Sequence, residues 1–419
     1  MRCNMKSNYK INWLSEKTLN NLLFYIPYII WLSMNILVDS AYESFPYFSR
    51  IFSITNIICL MTILFCLLRK KLSLSMFPVI CLCGICILIS AFNSGLFRII
   101  FPFLFIVAAS DMRWKEMIKV SLIVECILML FILLSFCIGI LPNETIGRLD
   151  GSYRYYMGYN YTTLSTNYFF HMVLMYLFVK NKKMRWPSYL IISILNIFFF
   201  ITTDTKAIFV LVFLVLICVF GVEHFSISWI QKKWITIFFQ NVFYIFSFLS
   251  IEVILGFRWG SWVLTKINSI LTNRLSLGRQ AYDQYGISIL GQNITWNTEF
   301  NGPDPYLYVD SAYMNIAINY GIVILILLCV GFTWVMCKAI KERDIMLVII
   351  CFFLAAHSIT DPQIYMMWYN PFLLLIGAVF YKTNDQYIIL YKVKETSDAL
   401  SEKLGIFWKK TINLFREKI

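Results

Sequence analysis

Residues 119–141 have the sequence KVSLIVECILMLFILLSFCIGIL, and this stretch decides the fold. After Lys119 it carries a single charge, Glu125, in a run that is otherwise apolar or weakly polar. An α-helix needs about 20 predominantly apolar residues to cross the hydrocarbon core of a bilayer. The segment is long enough to do so, and its sequence therefore predicts a transmembrane helix.

The composition extends this prediction to the whole chain. Of its 419 residues, 59% are hydrophobic and 14% are charged, whereas soluble domains are about 45–50% apolar and about 25% charged. The apolar runs cover about residues 22–38, 51–68, 77–92, 95–110, 119–141, 162–179, 187–202, 206–222, 234–256, 310–337, 345–360 and 364–381. We therefore predict an all-α, polytopic integral membrane protein with about 12 transmembrane helices.

The basic residues predict the orientation of these helices. When the N-terminus is placed in the cytoplasm, every second connection is basic, and about 27 of the 36 lysines and arginines fall on the cytoplasmic side. Short cytoplasmic loops of membrane proteins collect Lys and Arg. Both termini are therefore expected in the cytoplasm. The net charge of +13 is then a consequence of topology, and no nucleic-acid partner is predicted.

The chain divides into a membrane domain, residues 1–382, and a basic cytoplasmic tail, residues 383–419. Within the tail, residues 397–419 have the spacing of an amphipathic helix, which would lie on anionic membrane lipid.

Two extracytoplasmic loops are longer than the other connections. One covers about residues 142–161, and the other covers about 257–309, between helices 9 and 10. Loops longer than about 15 residues are uncommon unless they are functional or disordered. We expect one or two short helices near 262–288 and look for the functional residues in these loops.

Two pairs of arginines stand where the long loops meet the membrane: Arg148 with Arg154, and Arg274 with Arg279. Arginine binds phosphate oxygens through two parallel hydrogen bonds and stays charged at any working pH. The pairs would suit a pyrophosphate held at the level of the lipid headgroups. On a helix, Arg274 and Arg279 splay by about 140°, so they could contact different groups. The alternative is that these arginines snorkel to the interface or pair with nearby acids, namely Asp150, Asp283 and Glu299.

Asp310 begins the predicted tenth span, where it is either an N-cap or a general base for a sugar hydroxyl. His357 and Asp361 are four residues apart and would share a helix face, on which they could help a proton to move or could simply form part of the core. No Asp-x-Asp pair lies on the outer side. We therefore predict no metal site and no organic cofactor.

Several of these stretches resemble a known family. They are Asn273 to Tyr282, Ile289-Leu290-Gly291-Gln292, Val309-Asp310-Ser311-Ala312-Tyr313 and Asn319-Tyr320-Gly321-Ile322. Together they are similar to the large-loop region of Wzy-type polysaccharide polymerases, within the superfamily of O-antigen ligases and polymerases. The segment from Arg148 to Asn160 resembles the family's other outer loop. The motifs cover about a fifth of the chain, and the topology covers all of it.

The resemblance implies a glycosyltransferase-type activity in a bacterial cytoplasmic membrane. Such an enzyme joins oligosaccharide repeat units, each carried on undecaprenyl pyrophosphate, into O-antigen, capsule or exopolysaccharide on the outer face. It also implies that a flippase and chain-length regulator proteins work alongside the chain.

The resemblance implies that loop arginines bind the lipid pyrophosphate and the glycan, and these correspond to Arg148, Arg154, Arg274 and Arg279. The chemistry of the residues leads to more specific hypotheses. Arg274 and Arg279 are expected to act with Asp310 in catalysis, whereas Arg148 and Arg154 would bind the second carrier or the glycan. The other expected substrate-binding residues are Arg258, Tyr313 and His357. Related ligases often have His where this chain has Asp310, which argues against a ligase.

Three other interpretations stay open at this stage. A flippase for lipid-linked oligosaccharides would line a central cavity with charges and have short outer loops, unlike this chain. A glycan ligase would transfer finished polymer to a different acceptor. A structural membrane protein without activity would not need paired outer arginines.

Overall fold

The computed structural model describes residues 16–142, 144–147, 153–180, 183–225, 232–298, 305–381 and 387–389. It is mostly helical, with 73% of residues in helices, as the apolar runs predict. The helices are α1 (Glu16–Val38), α2 (Phe48–Arg69), α3 (Phe77–Ser94), α4 (Ile100–Ala108), α5 (Trp114–Cys137), α6 (Leu164–Lys180), α7 (Trp186–Thr203), α8 (Lys206–His224), α9 (Lys233–Gln240), α10 (Val242–Leu255), α11 (Trp262–Ile270), α12 (Arg274–Tyr285), α13 (Ala312–Asn319), α14 (Ile322–Lys341) and α15 (Ile345–His357).

Short 3-10 helices and two small antiparallel ribbons complete the described structure. The 3-10 helices are Ala41–Ser44, Phe97–Ile99, Gln363–Tyr365 and Pro371–Phe380. Strand β1 (Lys71–Ser73) pairs with β4 (Tyr387–Ile389), and β2 (Thr145–Gly147) pairs with β3 (Tyr153–Tyr155). The second ribbon builds the first long outer loop and places Arg154 opposite Ile146.

Seven of these helices are long and apolar enough to cross a membrane: α1, α2, α3, α5, α7, α8 and α14. Helices α9 and α10 pass the same test as a pair, although the chain bends by 64° between them. The other predicted spans appear as shorter apolar helices or, in α6, as a helix of 17 residues. The chain is therefore a multi-pass, all-α membrane protein, while the number twelve stays a prediction.

Burial separates a lipid-facing rim from a packed centre. Helix α2 fully buries only Cys59, Ile63 and Cys66, and most of its other large apolar side chains are exposed. Exposed apolar surface of this extent is expected where lipid replaces water. In contrast, α13 is buried along its whole length, and α6 buries 13 residues. These two helices form the interior against which the candidate site is built.

The predicted tenth span, 310–337, is wrong as a single helix. It is divided into α13 and α14 by Gly321, whose φ is +97°. A Cβ at this position would collide with the carbonyl oxygen of Ile289 and the backbone nitrogen of Gly291. The amide of Ile322, at the start of α14, donates to the carbonyl of Ser288. Residues 288–291 of the long loop therefore lie against this break. Two of the motifs that carry the family resemblance are in contact here.

The predicted pair of short helices in the long outer loop is confirmed by α11 and α12. The predicted tail helix, residues 397–419, lies outside the described residues. Within the predicted tail, β4 forms an extended strand on β1.

Candidate functional site

Helix α12 positions the first functional side chain, Arg274, at its N-terminus. Its buried face, which includes Gly278, packs on α10, where a Cβ on Gly278 would lie 3.0 Å from a side-chain carbon of Ile254. Asn268 fixes the start of the helix, because its side-chain oxygen accepts from the amide of Ser276 at 3.0 Å. This close packing holds Arg274 at a defined place above the centre of the bundle.

Arg274 joins two other elements. Its Nε lies 3.0 Å from Oδ2 of Asp310 in an ion pair whose side chains are 23% and 26% exposed, respectively. Its terminal nitrogen donates a hydrogen bond to the carbonyl of Thr360, just after α15. Arg274, one of the arginines predicted to bind the pyrophosphate, and Asp310, the predicted base, are therefore in direct contact.

Asp310 is not the cap of the following helix. The N-cap position of α13 is Ser311, and no side-chain hydrogen bond caps that helix. Burial raises the pKa of the Asp310 carboxyl above its usual range, and the adjacent Arg274 charge opposes this rise. Asp310 is thus a carboxylate held by an arginine, which corrects the N-cap alternative.

Asp361 is a second, more deeply buried carboxyl beside the ion pair. Its Oδ2 accepts a 3.0 Å hydrogen bond from the side-chain amide of Asn167 on α6. Its Oδ1 is buried without a hydrogen-bond partner among the described residues. Burial raises the pKa of Asp361 to about 8, with the positive charge of Arg274 opposing and the negative charge of Asp310 adding to the rise. The site therefore holds two acids with different environments.

The predicted partnership of His357 and Asp361 on one helix face is wrong, because α15 ends at His357 and Asp361 lies in the turn beyond it. His357 is 2% exposed and packs instead against His171 of α6, with ring centroids 5.4 Å apart. The Nε2 atom of His357 has no hydrogen-bond partner within the described part of the chain. His357 is therefore a buried polar group, and among the described residues no hydrogen bond joins it to Asp361.

Arg279, the second arginine of the predicted pair on α12, is bonded to groups other than Asp310. Arg279 forms an ion pair with Asp283 at 2.8 Å and donates to the carbonyl of Leu255, so its partners differ from those of Arg274. This matches the expected splay of the two side chains on a helix and the proposed salt bridge with Asp283.

Arg154, on β3, donates to the carbonyl of Thr203 at 2.6 Å and so braces the turn between α7 and α8. The charges of Arg154 and Arg274 both act on Tyr161, which places both arginines within electrostatic range of that tyrosine. Arg258 is exposed in the turn before α11. Arg148 lies outside the described residues.

The structure places Tyr313, a predicted substrate-binding residue, in the interior. Its side chain is fully buried, and its hydroxyl donates to the carbonyl of Ala355 at 2.8 Å. This hydrogen bond ties α13 to α15, and the role of Tyr313 in substrate binding stays a prediction.

Sequence analysis missed the network around Asp39, which directly follows α1. The Oδ2 atom of Asp39 accepts from the Tyr168 hydroxyl at 2.7 Å and from the Trp368 indole at 2.9 Å. Burial raises the pKa of Asp39, and these hydrogen bonds oppose the rise. The one available signal was an acid directly after an apolar run, which says nothing about partners 129 and 329 residues away.

No protein-family model, no curated protein and no solved structure matches this chain. The class that the fold defines is a multi-pass α-helical membrane protein with a charged site between α6, α12 and α15.

Proposed function

We propose that the chain is a polysaccharide polymerase that joins undecaprenyl-pyrophosphate-linked repeat units on the outer face of a bacterial cytoplasmic membrane. The observation that carries the proposal is the contact between Arg274 and Asp310. It pairs a permanent cation with a carboxylate in a site that water reaches only partly. The topology and the motifs of the long outer loop support the same activity.

The chemistry of polymerisation needs these two groups side by side. The bond between the anomeric carbon of the donor sugar and the pyrophosphate oxygen breaks, and its electron pair leaves with the pyrophosphate. A new bond forms between that carbon and the acceptor hydroxyl oxygen, whose proton passes to a carboxylate. Arg274 would balance the charge that develops on the leaving group, and Asp310 would accept the proton.

Asp310 and Asp361 have different environments, which give them different roles. Asp361, with a pKa raised to about 8, holds its proton near neutral pH. Burial raises the pKa of Asp310 as well, but Asp310 lies against the Arg274 charge, which opposes this rise and favours the ionised form. Asp310 is therefore the better base, while Asp361 offers a hydrogen-bond donor beside it. The contact with Arg274 also means that an arriving pyrophosphate must share or displace Asp310, which would release the carboxylate when substrate binds.

The test is the length of the polymer in cells that carry single substitutions. Arg274→Ala and Asp310→Asn should each leave single repeat units on the lipid carrier and abolish long polymer. The matched control is Lys266→Ala. Lys266 is a basic residue of the same loop, and its Nζ lies 5.2 Å from the ring centre of Trp262. Lys266→Ala should leave the distribution of lengths unchanged.

The amount of full-length protein in the membrane must be measured for each variant, so that loss of the protein is not mistaken for loss of activity. If Arg274→Ala makes polymer of normal length at a normal protein level, the proposed action of Arg274 on the pyrophosphate is refuted. Finished polymer that stays on the lipid carrier, instead of single units, would identify a ligase.

A further inference from the structure

A cavity of about 210 Å³ opens beside the Arg274 site and uses none of its predicted residues. It lies between α4, α13 and the 3-10 helix Gln363–Tyr365. The residues that matter for its chemistry are Arg98, Trp296, Tyr308, Tyr320, Tyr365 and Trp368. One wall is therefore aromatic, and one edge carries a cation.

Arg98 is the cation at the edge of the cavity, and the donors of its guanidinium are available to a ligand. Its guanidinium lies 5.3 Å from the ring centre of Phe52, and it has neither a hydrogen bond nor an ion pair with any residue that the structure describes. Arg274, Arg279 and Arg154, in contrast, are each bonded to protein groups. An exposed arginine of this kind can give both of its parallel donors to phosphate oxygens.

The position of Arg98 suits a ligand that is anchored in lipid. The neighbouring side chains Phe92, Leu96 and Phe97 are 70%, 40% and 49% exposed, respectively. Apolar side chains with this exposure face the acyl chains at the rim of the bundle. An anion held by Arg98 can therefore be attached to a hydrocarbon chain that never leaves the bilayer.

Hydrogen bonds hold the two indoles of the aromatic wall. The Trp296 indole donates to Asn319 at 3.2 Å, and the Trp368 indole donates to Asp39 at 2.9 Å. Because these N–H groups are already bonded, the two indoles offer a ligand the apolar surface of their rings. The negative faces of aromatic rings attract the positively polarised C–H groups of a sugar.

The cavity is adjacent to the charged site. Tyr308 lines it, precedes Asp310 by two residues and lies within electrostatic range of both Asp310 and Asp361. A sugar on the aromatic wall would therefore have a hydroxyl close to the proposed base.

We propose that this cavity binds the head of a polyprenyl-diphosphate-linked saccharide, with the diphosphate on Arg98 and the first sugar on the aromatic wall. The cavity thereby supplies a second lipid-linked substrate to the Arg274 site. Identification of the saccharide rests on the proposed function, whereas the recognition of a lipid diphosphate by Arg98 does not.

Binding to the purified full chain in lipid nanodiscs tests the proposal, with undecaprenyl diphosphate and undecaprenyl monophosphate as probes. Arg98→Gln should weaken binding of the diphosphate about 10- to 100-fold, the loss expected when charge-assisted hydrogen bonds are removed. The control is Arg50→Gln, another outer arginine, which lies over Tyr47 and outside the cavity. It should bind the diphosphate as the unsubstituted chain does. The monophosphate should bind more weakly than the diphosphate and respond less to Arg98→Gln.

The aromatic wall has its own test. The lipid-linked repeat unit, extracted from cells in which this gene is deleted, is the probe. Trp296→Leu should weaken its binding about 3- to 10-fold and leave binding of undecaprenyl diphosphate unchanged. Equal losses for both probes would show that Trp296 acts by shaping the fold, and would overturn the sugar assignment.

The outcomes separate this inference from the proposed function. If Arg98→Gln binds undecaprenyl diphosphate normally and supports normal polymer, the cavity assignment fails and the polymerase proposal stands. If deletion of the gene leaves polymer unchanged while Arg98→Gln still loses the diphosphate, the polymerase proposal fails and the lipid-diphosphate site stands. If the unsubstituted chain binds neither lipid probe, the cavity assignment is overturned.

Discussion

The substitution Asp361→Asn tests the electrostatics of the site without any knowledge of the substrate. The amide has nearly the same shape as the carboxyl and can still accept from the Asn167 side chain, which lies 3.0 Å away in the native site. It cannot ionise. Any difference in pH dependence between the two proteins therefore belongs to the proton on Asp361.

The magnitude follows from the pKa. An aspartate in an unfolded chain releases its proton near pH 3.9, whereas folded Asp361 keeps it until about pH 8. Between these values the folded state binds more protons, so the free energy of unfolding falls as the pH rises. At pH 8 about half of the folded molecules carry an ionised Asp361. From pH 6 to pH 8 the free energy of unfolding therefore falls by about 2 kcal/mol. Above pH 8 both states are ionised and the loss levels off.

The assay is equilibrium unfolding of the purified chain in detergent micelles at pH 6 and pH 8. The unsubstituted protein should lose about 2 kcal/mol more over this interval than Asp361→Asn does. The control is Glu116→Gln, an exposed acid paired with Arg113, which should keep the pH dependence of the unsubstituted chain. If Asp361→Asn also keeps it, Asp361 is already ionised near neutral pH, and the division of roles between the two acids is refuted.

Three further predictions concern stability. Arg274→Met and Asp310→Asn should show a coupling free energy of about 1–3 kcal/mol in a double-mutant cycle, because the pair is only partly exposed; additive effects would mean that the ion pair does not form. Gly321→Ala should reduce the amount of folded protein severely, since the new methyl group meets backbone atoms, whereas Gly221→Ala, with open space around it, should be tolerated; equal levels of both would contradict the helix break. Tyr313→Phe should lower the free energy of unfolding by about 1 kcal/mol and leave polymer length unchanged, and a shorter polymer would return Tyr313 to the site.

The sequence predicted the positions of most helices, because each apolar run needs a helix to satisfy its backbone in lipid. It could not predict the break at Gly321, since the apolar pattern continues across it and the cause is a backbone contact with residues 289–291. The short helices of the outer loop were predictable from their local composition. The ribbons were not, as each strand has three residues.

The candidate site was predictable in part. Arg274 and Asp310 were singled out by residue type and by their place at the membrane surface, and they are in contact. Asn167 was missed, because a polar residue inside a span carries no sign of which partner it has. Arg98 was not singled out, because its cavity depends on side chains from four separate stretches of the chain.

The junction at Gly321 also affects how genetic data on this protein should be interpreted. If the proposed function holds, a screen that scores only the absence of surface polymer should return substitutions at Gly291 and Gly321 together with substitutions at Arg274. The first two remove the space in which one backbone segment lies against another, so the protein should disappear from the membrane. Immunoblots of the membrane fraction would sort such alleles into those that deplete the protein and those that leave it present but inactive.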